Sequence, residues 1–188
     1  LGTGVNITLL NNNNSFTGSL SFVSAKNVEL KNTKATVLDD SKITGTFNLV
    51  SDGISQDEGK KLIIGGDTSL NVGTKNIVFN GSVNSTELTA ANLTLIGGDI
   101  SFANAVGDIN RLGEFTITST GEVKFQSIDA TPAVAQDISA KSLSVTAAKS
   151  FISGNITTAG GDVDITASDS IIVQSINTSA DTAGKIAL

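Results

Sequence analysis

The stretch Leu93-Thr94-Leu95-Ile96-Gly97-Gly98-Asp99-Ile100-Ser101-Phe102-Ala103-Asn104-Ala105-Val106 decides the fold. It opens with an apolar-polar-apolar triplet, Leu93-Thr94-Leu95. A second triplet, Ile100-Ser101-Phe102, follows after a short gap, and Val106 closes the unit at offset 13 from Leu93. Alternation with a period of two marks a strand that buries one face. The next stretch repeats the plan with Phe115-Thr116-Ile117, Val123-Lys124-Phe125 and Ile128, the last again at offset 13 from its anchor.

Outward from there, the same first triplet anchors the whole chain. It occurs at Leu20, Phe47, Leu70, Leu93, Phe115, Leu143, Val163 and Ile186, in sequence steps of 20 to 28. From Leu70 to Val163 the third segment (Val83, Val106, Ile128, Ile156, Ile176) keeps its offset of 13 in all five repeats. Only the distance from the third segment to the next anchor varies, and it is longest between Ile128 and Leu143. Fixed spacing within a turn and variable length at one corner are what stacked rungs predict. The expectation is an all-β, right-handed parallel β-solenoid with three short strands per rung and about eight rungs. A β-sandwich gives short alternating strands but no constant offset. Ser, Thr, Asn, Gly and β-branched residues argue against helices.

Residues 1–188 read as a single β-solenoid segment of a longer protein, since the pattern is cut at both ends. Residues 1–69 give less regular rungs and 70–188 regular ones, because neither Leu20 nor Phe47 has an apolar residue at offset 13. The anchors and the residues two beyond them should point inward, as should Phe102, Val106 and Phe125. Phe79, Phe102 and Phe125 recur at one constant interval and should stack. Gly73, Gly97, Gly98 and Gly121 fall between first and second strands, where a corner would need unusual backbone angles.

Composition narrows the chemistry. Ser, Thr, Asn and Gly make up 80 of 188 residues, and His, Cys, Met, Trp and Tyr are absent. Without His or Cys there is no Ser-His-Asp triad, no Cys-His dyad and no zinc site of the usual kinds. A net charge of −6 argues against nucleic acid as a partner. No apolar run reaches the ~18 residues of a spanning helix, so membrane insertion is not expected.

Some acids stand where catalysis or metal binding could use them. Asp39-Asp40, Asp57-Glu58 and Asp162 with Asp164 are adjacent or alternate acids of the kind glycoside hydrolysis uses. Alternation turns Asp162 and Asp164 outward on one strand, so solvated acids are the expected reading. Gly160-Gly161-Asp162-Val163-Asp164 departs from a calcium-binding nonapeptide at Val163 and occurs once. Thr118, Thr146 and Thr166 begin a threonine row that the earlier rungs do not continue, so ice binding is not favoured. Asn11–Asn14 is expected at a corner. The seven Asn-x-Ser/Thr triplets follow from composition. No catalytic, metal or cofactor site is expected, and the chain is read as no enzyme. The candidate contact surface is the long excursion after Ile128, with Asp129, Thr131, Pro132, Gln136 and Asp137, together with Arg111 in the preceding rung's corner loop. Proline cannot donate to a strand ladder, and loops on rigid scaffolds carry binding residues.

Three segments carry a family resemblance: Phe115–Phe125, Leu143–Ile152 and Gly160–Thr166. They resemble the β-helical shafts of bacterial filamentous-haemagglutinin-type (two-partner secretion) adhesins and autotransporter passengers. The Asn-Pro-Asn motifs of that family's secretion domain have no counterpart, since the one proline is Pro132. The resemblance is therefore to a shaft. It implies secretion across the outer membrane, a non-catalytic rod at the bacterial cell surface and adhesion to a host, cell-surface or matrix receptor. End-to-end self-association into a fibre is the alternative, and a carbohydrate-active β-helix a further one.

Overall fold

The computed structural model describes residues 4–128, 130–147, 149–180 and 183–188. It is a parallel β-solenoid with no helix among the described residues. Three columns of short strands climb the axis, and every pairing between named strands is parallel.

The first column fixes the rung count. Its inward residues stack as Ile7, Val28, Phe47, Thr68, Leu93, Phe115, Leu143, Val163 and Ile186. That is nine rungs, not eight. At roughly 4.8 Å per rung the stack is about 40 Å long. Two anchors change. Leu20 pairs with Leu38 and so belongs to the second column, while Val28 holds its place in the first. Leu70 pairs with Leu95, so the partner of Leu93 is Thr68. Thr68 is buried and donates its hydroxyl to the Gly66 carbonyl at 3.2 Å, which is how a polar residue sits at an inward position. With these anchors the rungs between 25 and 69 pair in continuous register like the later ones.

The second column holds the aromatic stack. Phe79, Phe102 and Phe125 are in register, with ring centroids 5.0 and 4.6 Å apart and planes within 17° and 5°. Phe115, from the first column, stands edge-on to Phe102 and Phe125 at 6.0 and 6.2 Å. Each such pair contributes about 0.5–1.5 kcal/mol beyond its burial. Leu93, Leu95, Val106, Ile117 and Val145 are all at most 1 % exposed, as expected, whereas Leu20 is half-buried and the last anchor, Ile186, and Leu188 two beyond it are exposed. Below Phe79 the same column continues through Gln56 and Leu38. Gln56 is fully buried, and neither of its amide atoms has a hydrogen-bond partner.

The third column runs Ser41, Leu62, Val83, Val106, Ile138, Ile156 and Ile176. Ile128 has no place in it. Offset 13 from Phe115 lands on Ile128, but that side chain is 59 % exposed and Ile138 is 1 % exposed. The offset of 13 therefore fails in that rung, where the chain makes a detour before returning to the column, and it lengthens to 15 between Thr68 and Val83 once Thr68 is the anchor.

Candidate functional site

The detour is a small hairpin at the corner between second and third strands. Gln126 and Ala135 form an antiparallel bridge. The Ser127 N–H donates to the Val134 carbonyl at 2.8 Å, and the Gln136 N–H donates to the Phe125 carbonyl at 2.8 Å. Thr131 and Pro132 are exposed in its outer part, as are Ile128 and Val134, while Asp129 lies outside the described residues. Spacing alone puts this excursion at the corner between third strand and next anchor, beside Arg111. The pairing of Ile138 with Val106 moves it to the other corner.

Arg111 stays at the corner between third and first strands. It is exposed and lines a shallow hollow with Leu88, Thr89 and Ile109. The structure therefore does not unite Arg111 with the excursion in one surface. Asp137 has a structural task. Its carboxylate accepts the Asn155 backbone N–H at 2.7 Å and the Asn155 side-chain amide at 3.2 Å.

That task recurs at corner after corner. The Asn27 side chain accepts the N–H of Thr46, Asn76 that of Asp99, Asn92 that of Glu114, Asp99 that of Glu122 and Asp162 that of Lys185, at 2.7–3.1 Å. Each is an oxygen of one rung holding the backbone of the next. The residue before each of these donors is glycine: Gly45, Gly98, Gly113, Gly121, Gly154 and Gly184. At Gly45, Gly98, Gly113, Gly121 and Gly154 a Cβ would sit closer than 3.0 Å to the accepting side-chain oxygen. Glycine admits the neighbour's side-chain oxygen, and at Gly45, Gly98 and Gly113 a backbone carbonyl of the neighbouring rung as well. Gly97, Gly98 and Gly121 are not positive-φ corners, whereas Gly73 is, with φ of 61°. The signal in the sequence is an Asn or Asp followed one rung later by Gly-x. It is invisible until the rungs are correctly phased.

The remaining acids divide between fold and solvent. Asp40 accepts the Lys61 N–H at 2.9 Å. Asp39 pairs with the Lys60 ammonium at 2.8 Å. That hydrogen bond, helped by the Asp40 backbone N–H, holds the Asp39 carboxyl below its ordinary value, and Asp39 in turn raises Lys60. Asp164 points outward and is exposed. Among the described residues no three acidic, His or Cys side chains are grouped to hold a metal ion. Asn11–Asn14 forms a corner turn, closed by the Asn14 N–H on the Asn11 carbonyl at 3.1 Å. The threonine row is Thr118, Thr146 and Thr166, continued downward by Ile96 and Asn71, so it is short.

The fold and its corners define a parallel β-solenoid built from degenerate repeats. Residues 25–87 match a protein family described as repeats of unknown function (DUF5649). The match covers about one third of the chain and begins where the strand Ala25–Lys31 does. No curated protein and no solved structure matches.

Proposed function

We propose that this chain is a non-catalytic structural rod of an extracellular bacterial adhesin or surface fibre. One observation carries the reading: the polar side chains of the corners join rung to rung. Asn27, Asn76, Asn92, Asp99, Asp137 and Asp162 all accept backbone N–H groups of the following rung. A hydrogen bond with an ionised acceptor is stronger than a neutral one. Combined with a largely apolar interior, this makes a stiff, quasi-one-dimensional element whose stability grows rung by rung. Such an element holds a binding region away from the cell. The resemblance of its repeats to haemagglutinin-type shafts points to the same role.

Surface display on the source cells is the quantity to measure. Antibodies against residues 1–188 should label intact, unpermeabilised cells, and in-frame removal of these rungs should lower adherence to host cells or matrix. Labelling only after permeabilisation would overturn the surface assignment. Robust reducing-sugar release from a polysaccharide panel by the purified chain would overturn the non-catalytic one.

A further inference from the structure

Asn80 is the one asparagine of the chain that is followed by glycine. The dipeptide Asn80-Gly81 makes the tight corner between the second-column strand Ile77–Phe79 and the third-column strand Ser82–Ser85. The corner asparagines Asn27, Asn76, Asn84 and Asn92 are committed, since their side chains accept N–H groups of the following rung. Asn80 differs. Among the described residues, neither its side-chain amide nor the Gly81 N–H has a hydrogen-bond partner. The peptide carbonyl between those two groups does have one. The Asn104 side-chain amide, from the next rung, donates to the Asn80 carbonyl at 2.8 Å. Gly81 and Asn104 also line an open hollow, so water reaches this corner.

We propose that Asn80 is a self-modification site, at which the folded chain deamidates through a cyclic imide. The Gly81 nitrogen gives up its proton to solvent and attacks the carbonyl carbon of the Asn80 side chain. A C–N bond forms, the bond to the side-chain nitrogen breaks, and ammonia leaves with a proton taken from solvent. Water then opens the imide at either of its carbonyls and leaves an aspartyl or an isoaspartyl residue at position 80. One water is consumed and one ammonia released, with no change of oxidation state. The local structure favours each part of this step. Glycine has no Cβ to hinder the attack. Its N–H is held by no ladder bond, and the Asn80 side chain can turn toward it without breaking a hydrogen bond. The anion left when that N–H loses its proton carries much of its charge on the peptide oxygen. The Asn104 donor already stands there, and a donor aimed at developing charge lowers the barrier.

The product loosens the joint between rungs. The Asn80 N–H donates to the Gln56 carbonyl at 3.0 Å and the Ser82 N–H to the Lys60 carbonyl at 2.9 Å, so the chain is clamped to the preceding rung on both sides of Gly81. Gly81 fits so closely that a Cβ on it would overlap the Lys60 carbonyl. An isoaspartyl link inserts a methylene into the main chain between those two bonds. There is no slack to take it up, so one of them must give. Either product also adds a negative charge to a chain of net charge −6. This inference goes beyond the rod reading and is independent of it.

The whole chain, kept folded in warm neutral buffer well below its melting point, is sampled over weeks by peptide mapping with mass spectrometry. Isoaspartyl methyltransferase labels the rearranged product. Asn80 should lose its amide before any other asparagine and give two products of equal mass, one of which takes the label. Asn104→Ala removes an exposed side chain, should leave the circular dichroism unchanged and should slow the conversion severalfold. With age the Ser82 amide should exchange its hydrogen faster in the parent. It should not do so in Asn80→Gln, whose longer side chain closes a ring far more slowly. An Asn80 amide that survives in the folded chain but is lost in urea would show that the fold protects the site, and overturns the proposal. Conversion at an unchanged rate in Asn104→Ala overturns it as a site built by the fold. Unaltered Ser82 exchange after full conversion overturns the loosened joint.

Discussion

The glycine that admits a neighbour's carboxylate gives a sharp energetic prediction at Gly121. A Cβ there would overlap the Asp99 oxygen that accepts the Glu122 N–H at 2.9 Å. Gly121→Ala must therefore push the carboxylate aside and break that bond. The bond is charge-assisted but partly solvated, so its loss should cost about 1–2 kcal/mol. Gly121 has no positive φ. Alanine therefore fits its backbone and even gains about 0.4–1 kcal/mol from the unfolded state. In an Asp99→Ala background the carboxylate is gone and only the backbone N of residue 99, 3.2 Å away, stays close, so the same Gly121→Ala change should be near neutral. The double-mutant cycle should thus show a coupling of about 1–2 kcal/mol. Guanidinium unfolding followed by circular dichroism measures all four corners of the cycle. Hydrogen exchange at the Glu122 amide should quicken in both single variants. Equal cost of Gly121→Ala in both backgrounds would refute the explanation. The glycine would then serve some other end, and the same argument at Gly154 would fall with it, whereas at Gly45 and Gly113 a neighbouring backbone carbonyl also excludes a Cβ.

Other outcomes follow from the same structure. Gln56→Leu replaces a fully buried, unpartnered amide by an apolar side chain of similar size between Leu38 and Phe79. It should stabilise by about 1–3 kcal/mol, and a lower melting temperature would mean that the amide is satisfied. Phe102→Asp puts an unpaired charge between two stacked rings and should abolish cooperative folding, with cooperative melting of that variant as the contrary result. Removing residues 130–133 should leave the fold intact, since loop length changes closure entropy slowly. Extending the cut through 137 also removes the Asp137 bond to Asn155, and equal melting of the two deletions would contradict this. Asp39 should titrate below its ordinary value of 3.8 and return toward it in Lys60→Ala, as followed by NMR. Because its folded value is lowered, the contribution of that pair is present above the unfolded value and is lost as pH falls through the folded one.

Much of the fold was legible because the solenoid repeats one physical problem. Every rung must bury one face of each strand, so apolar residues recur at period two and triplets recur at rung spacing. Phe79, Phe102 and Phe125, at identical spacing, had to stack if the rungs stacked, and they do. What failed was phase. Leu20-Ser21-Phe22 looks like a first-column triplet, yet Leu20 belongs to the second column. Thr68 disguised another rung, because an inward threonine bonded to a nearby carbonyl breaks the apolar pattern without breaking the core. Ile128 sat at the expected offset but faces solvent. Apolarity says that a residue can be inside; only its cross-rung partner says that it is.

The candidate contact surface shows the same division. Pro132 and the length of the detour marked an excursion correctly, since proline and excess residues are expelled from a ladder. Its corner, its separation from Arg111 and the use of Asp137 as a rung-to-rung acceptor depended on the pairing of Ile138. The sequence by itself determined a stack of three-strand rungs, its aromatic interior and the polar composition of its corners. Tertiary structure alone decided which polar group meets which. Strand patterning is a local consequence of burial, whereas a hydrogen bond between rungs joins groups a whole turn of chain apart, and its partner is chosen by register.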